Sequence, residues 1–175
     1  MTRAFASLNP QEALHVAIFI EERNAEIYQR FAEMFTEFRD AESREIASVF
    51  WDMSVEEKRH STVLQGRYQE LFGSSSCAVT EEDLREMIEV PKLESGDVFE
   101  AAEVAKTTPR ERAIQVALQA EKTAHDFYAE LVKQTADEAL RRLYLELSAM
   151  EDGHVTYLQS MLSTPASSGG ERGVQ

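Results

Sequence analysis

Two stretches decide how this chain is read: Met53-Ser54-Val55-Glu56-Glu57-Lys58-Arg59-His60-Ser61-Thr62-Val63-Leu64 and Leu147-Ser148-Ala149-Met150-Glu151-Asp152-Gly153-His154-Val155-Thr156-Tyr157-Leu158. The first lies in a run with apolar residues at Ile46, Phe50, Met53, Leu64 and Tyr68, the spacing of one helix face. Glu57 and His60 fill two consecutive core-facing places in that stripe. The second lies in a run with Leu140, Leu143, Leu147, Leu158 and Met161, and there Glu151 and His154 fill the equivalent two places. A spacing of three keeps Glu and His on one helix face. A carboxylate in a helical core is costly unless it is paired or bound to a metal. The same interruption of two apolar stripes therefore points to a metal.

The remaining chain supplies two further helices. Asn9-Pro10-Gln11-Glu12 and Thr108-Pro109-Arg110-Glu111 each combine a capping side chain, a proline in the first turn and a glutamate at the third helical position. The first opens a helix to about residue 39, with Leu14, Ile18, Ala25, Tyr28, Ala32 and Phe35 on its stripe. The other opens a helix to about residue 134, with Ile114, Ala117, Leu118, Ala124, Tyr128 and Leu131. The second helix is expected over 41–72, stopped at Gly73 and ending its stripe at Leu71; the fourth is capped by Asp137. Two short-linked helical hairpins separated by a crossover at 73–108, itself with short helices near 81–89 and 97–105, predict an all-α four-helix bundle with one long connection between its second and third helices. The bundle domain is expected over 1–164, with a disordered tail at 165–175.

In the first and third helices the polar residue on the stripe is read as Glu22 and Glu121. Glu21 also fits the first stripe; Glu22 is preferred because Ala25 follows it by three residues, as Ala124 follows Glu121. The two hairpin turns put Glu22 level with Glu57, and Glu121 level with Glu151, so one layer can hold the whole set. The predicted metal ligands are Glu22, Glu57, His60, Glu121, Glu151 and His154. Four clustered carboxylates would repel one another into protonation, and two divalent cations remove that penalty. Two Glu plus two Glu-x-x-His units are the inventory of a dinuclear carboxylate site in a bundle. The oxygen-rich, thiolate-free donors favour iron, with manganese or zinc as alternatives. Glu26, Tyr28, His125 and Tyr128 are expected around the ligands, the tyrosines through their hydroxyls. Glu12-x-x-His15, at a helix start, is read as surface.

Composition narrows the partners. The chain has 175 residues, a formal charge of −14 and one cysteine, Cys77. An excess of acid argues against phosphate-backbone binding and against an anionic membrane surface. No apolar run of spanning length and no signal-peptide pattern is present, so a soluble, cytoplasmic protein is expected.

These residues resemble the rubrerythrin-like branch of the ferritin-like diiron carboxylate proteins, over nearly the whole folded length. The resemblance implies a ferritin-like bundle that forms a homodimer or larger assembly. It also implies a non-haem centre of two irons, with Glu57 and Glu151 bridging, Glu22 and Glu121 terminal and one imidazole per iron, reacting with oxygen or hydrogen peroxide. Two departures stand out. Rubrerythrins proper carry a four-cysteine rubredoxin-like site, which Cys77 alone cannot form, so a separate electron donor is expected. They also carry a second carboxylate three residues before the third-helix ligand, and here that place is Leu118. Three readings of function fit: an oxidoreductase acting on oxygen or peroxide, including oxidation of ferrous iron; an iron storage or delivery protein; and a helical interaction bundle without metal.

Overall fold

The structure is a computed structural model that describes residues 8–80, 82–84 and 106–163. Among them are four long helices: α1 (Pro10–Thr36), α2 (Ala41–Phe72), α3 (Pro109–Gln134) and α4 (Glu138–Ser163). Each start is capped as its local sequence dictates. Asn9 and Thr108 form capping boxes with Glu12 and Glu111, Asp40 accepts from the Ser43 amide, and Asp137 accepts from the Leu140 amide at 2.8 Å. Such caps satisfy amides that have no partner inside the helix. Gly73 ends α2 with φ 58°, a left-handed conformation that favours glycine. The first helix stops at Thr36, short of the expected residue 39. In the last turn of α2 Phe72, with Tyr68 before it, packs half-buried against the core, while Leu71 is exposed.

α1 packs along α2, α3 packs along α4, and the two hairpins meet through α1 and α3. The core is divided in two. One apolar cluster gathers Leu14, Ala17, Ile20, Leu64, Phe127, Tyr128, Tyr144 and Leu147; the other gathers Ile27, Tyr28, Phe31, Phe50, Met53, Ile114, Ala117 and Leu158. On every helix the break between the clusters falls where a buried glutamate stands: Glu21, Glu57, Glu121 and Glu151. The polar layer thus lies across the middle of an otherwise apolar bundle.

The start of the crossover is tied to the bundle by Gln11, whose Nε2 donates to the Tyr68 hydroxyl at 2.8 Å and to the Ser75 carbonyl at 3.1 Å. Val79 and Leu84 bury themselves against the first cluster. Residues 82–84 are helical, inside the short helix expected at 81–89. The remainder of that helix, the expected helix at 97–105 and the tail at 165–175 lie outside the described residues.

Candidate metal centre

Glu57 and Glu151 occupy the centre of the polar layer, each fully shielded from solvent, as are Glu21 and Glu121. His60 and His154 follow one turn after the central pair and reach the layer from α2 and α4, with side chains 12% and 14% exposed. The Nδ1 atom of each imidazole faces inward. His60 Nδ1 lies 3.1 Å from Glu21 Oε2, 3.7 Å from Glu57 Oε2 and 3.6 Å from Glu151 Oε1. His154 Nδ1 lies 3.3 Å from Glu121 Oε2, 3.3 Å from Glu57 Oε1 and 3.6 Å from Glu151 Oε2. Glu57 and Glu151 therefore each turn one oxygen toward each imidazole. Two four-donor groups result, Glu21–Glu57–His60–Glu151 and Glu57–Glu121–Glu151–His154, with ligand atoms within 4.8 Å of one another in each.

One expectation is corrected here. Glu22 is exposed and outside the layer: its Oε1 accepts from Gln65 Nε2 at 2.6 Å and from the Ser61 hydroxyl at 3.4 Å. The carboxylate that α1 places inside the layer is that of Glu21. Successive residues on a helix are rotated by about 100°, so both cannot face the core. The distinguishing signal was present in the sequence: Glu21 precedes Tyr28 by seven residues, as Glu121 precedes Tyr128, a gapless match that the comparison through Ala25 and Ala124 obscures.

Those tyrosines form a reciprocal pair. The Tyr28 hydroxyl, on α1, donates to Glu121 Oε1 on α3, and the Tyr128 hydroxyl, on α3, donates to Glu21 Oε1 on α1. Burial, reinforced by the adjacent carboxylates, holds both phenols well above their ordinary pKa, so they remain donors. Glu26 and His125 do not take part. Glu26 is exposed and pairs with Arg23, and His125 pairs with its neighbour Asp126. Glu12, expected at the surface, is buried because its carboxylate closes the capping box; His15 beside it packs against the Tyr68 ring.

The outer and central carboxylates differ in their partners. Glu21 and Glu121 each have a tyrosine and a histidine, whereas all four oxygens of Glu57 and Glu151 are buried with no hydrogen-bond partner. Burial pushes both central carboxyls well above the ordinary range, and the neighbouring glutamates push them further. His154 moves the opposite way to what burial alone would do, because Glu121 and Glu151 carry its pKa up to about 11. An orphaned buried carboxylate costs several kcal/mol. A divalent cation in each group would satisfy these oxygens and balance four glutamates, so the donor set fits metal.

A sign follows for stability against pH. In chelator, folded protein holds protons on Glu57 and Glu151 that the unfolded chain releases above its ordinary carboxyl pKa; His154 adds the same sign above about 6.5. The metal-free thermal midpoint is therefore expected to fall by several degrees between pH 5 and 8. The metal-loaded midpoint should rise over that range as protons cease to compete for the ligands. Calorimetric scans at five pH values, with and without chelator, would expose equal slopes as a failure of this account.

A cleft of about 440 Å³ between α2 and α4 opens onto the two imidazoles. Val63, Leu143, Leu147 and Met150 give it apolar walls, while Glu56, Arg59 and Glu146 supply charge. No helix among the described residues is long and apolar enough to cross a membrane.

Comparison with known proteins agrees with this architecture. A hypothetical protein from Pyrococcus furiosus is similar in structure with a TM-score of 0.66, at 23% identity over 90% of each chain. An uncharacterized conserved protein from Magnetospirillum magnetotacticum MS-1 is similar with a TM-score of 0.62, at 24% identity over 92% of this chain and 99% of that one. At such identities the likeness concerns the fold. No protein of curated function matches in sequence. The family model for rubrerythrin matches residues 12–162, which takes in all four helices and every member of the buried cluster, and the chain belongs to the rubrerythrin family.

Proposed function

We propose that the cluster binds two iron ions and that the loaded protein is an oxidoreductase acting on dioxygen or hydrogen peroxide. The observation that carries this reading is the set of four orphaned oxygens on Glu57 and Glu151, shared between the two four-donor groups. In this reading Glu57 and Glu151, which belong to both groups, would help to hold both ions. Glu21 and His60 complete one position, and Glu121 and His154 the other. When bound, a pair of irons supplies electrons to a small oxygen species at one place. Tyr28 and Tyr128 hold Glu121 and Glu21 in position through their hydroxyls. The cleft between α2 and α4 admits small reactants to the imidazole side, and its apolar walls limit bulk water there.

Leu118 stands one turn before Glu121 and packs with the second apolar cluster, so that helix offers a single carboxylate to the layer. Ligand exchange between two glutamates on α3 is not part of this reading. Oxidation of ferrous iron is a second reading, favoured by Glu56 and Glu146, which place acidic groups along the cleft that a cation would follow. The proposed donor of electrons is a separate molecule, and the proposed assembly a homodimer or larger.

Protein purified without added metal, then analysed for elements, should carry up to two irons per chain and take up the balance from ferrous salt under anaerobic conditions. Stopped-flow mixing of the ferrous form with oxygen or peroxide should then give a near-ultraviolet charge-transfer band within seconds. A chain that takes up no ferrous iron, or one whose bound iron is inert to both oxidants, would contradict the proposal.

A further inference from the structure

The glutamates, histidines and tyrosines of the two halves match in pairs, but the residue before each Glu-x-x-His does not. Glu56, immediately before Glu57 on α2, corresponds to Met150, immediately before Glu151 on α4. Both line the cleft onto which the imidazoles open. Glu56 crosses that cleft, and its Oε2 lies 2.9 Å from Nε2 of His154, the nitrogen opposite the one facing the carboxylates. Met150 offers no equivalent to His60, and no described residue hydrogen-bonds His60 Nε2. The rings lie nearly parallel, 6.3 Å apart with 25° between their planes, so the difference between them lies in the partner and not in their presentation.

A histidine that donates its outer N–H to a carboxylate is held in one tautomer, with the inner nitrogen unprotonated, and is a stronger ligand; removing such a partner typically costs about 10–100-fold in metal affinity. We infer that Glu56 is a positioning residue for His154 that makes the two metal positions unequal. The position formed by Glu57, Glu121, Glu151 and His154 fills first and holds metal more tightly than the position that includes His60. This inference rests on the dinuclear reading above and adds to it an order of loading set by a residue outside the ligand set. It also places the more easily vacated metal beside Met150, on the half of the cleft without the carboxylate partner.

Cobalt(II) titration of the chelator-treated full chain tests it, read by ligand-field absorption and by calorimetry. Wild type should show two resolved steps, the first tighter by about 10–100-fold. Glu56→Gln should weaken the first step by that factor and leave the second in place, so that the steps merge. Met150→Glu gives His60 the missing partner and should tighten the second step alone. A purely structural role for Glu56 would shift both constants or the unfolding midpoint instead. Two equal steps in wild type, or unchanged constants in both folded variants, would overturn the inference while leaving the dinuclear site standing. A wild-type chain that takes up no cobalt and no iron would instead remove the site on which both readings depend.

Discussion

Glu57→Ala and Glu151→Ala should each reduce metal content from two ions per chain to nearly none, whereas Glu21→Ala and Glu121→Ala should each leave about one. The asymmetry follows from geometry. Glu57 and Glu151 belong to both four-donor groups, and each turns one oxygen toward His60 and the other toward His154. Losing either removes a ligand from both positions at once. Glu21 and Glu121 each belong to one group. Glu22→Ala is the control, and it should bind as wild type does because its carboxylate is engaged outside the layer with Gln65 and Ser61. Elemental analysis after loading and desalting distinguishes these outcomes directly. A Glu22 variant that loses metal while the Glu21 variant keeps it would reverse the assignment on α1.

The second large effect runs against the usual direction for a substitution in a core. With chelator present, the double variant Glu57→Met, Glu151→Met is expected to melt above wild type. The four oxygens it removes are those with no hydrogen-bond partner, on carboxyls whose protonation burial and repulsion already favour. What remains is two separate and satisfied units. Glu21 keeps Tyr128 and His60, and Glu121 keeps Tyr28 and His154. Methionine has similar length and fills irregular space without a polar atom that demands a partner. Replacement of buried charge by apolar volume is often stabilising by about 1–4 kcal/mol. In a domain of this size that corresponds to a rise of roughly 2–16 °C. Added metal should reverse the order, because only wild type gains binding energy from it. The double variant should also lose most of the pH slope of the metal-free protein. A variant that melts below metal-free wild type would mean that the central carboxylates find partners without metal.

The two predictions bear on a single trade. The bundle keeps an uncompensated polar layer across its core, and the metal-free state carries that cost so that the loaded state has a ready-made ligand shell. Separation of the apolar residues into two clusters on either side of the layer has the same origin, since a fully apolar bundle would close over the centre. Tyr28 and Tyr128, packed into opposite clusters, cross between α1 and α3 to Glu121 and Glu21 and tie those two helices in register.

Much of this was legible in the residues. Helix starts announce themselves locally: Asn9-Pro10 and Thr108-Pro109 with a glutamate at the third position specify where α1 and α3 begin, and Gly73 where α2 ends. The Glu-x-x-His pairs could be located because each interrupts an apolar stripe twice in succession, which periodicity along one helix detects. These signals depend on neighbours within a turn or two, and they determined the all-α bundle and which glutamates and histidines of α2 and α4 enter its polar layer. Glu121 enters it by the same signal.

What lies between helices was not legible in the same way. The stripe of α1 taken alone, with two adjacent glutamates beside it, leaves the choice between Glu21 and Glu22 to the rotation of α1 against its neighbours; only the match of Glu21 and Tyr28 to Glu121 and Tyr128 on another helix carries it in the sequence. The packing of Tyr28 and Tyr128 into opposite clusters resolves it, because each phenol crosses to a carboxylate on the other helix. The contact from Glu56 to His154 spans 98 residues and the width of a cleft. No spacing along the chain encodes it, since it exists only once α2 and α4 are set side by side. The sequence alone determined which residue types stand on which helical face. Tertiary structure decided which of them meet, because side-chain contacts across a bundle depend on helix rotation and register, which the periodicity of a single helix leaves free.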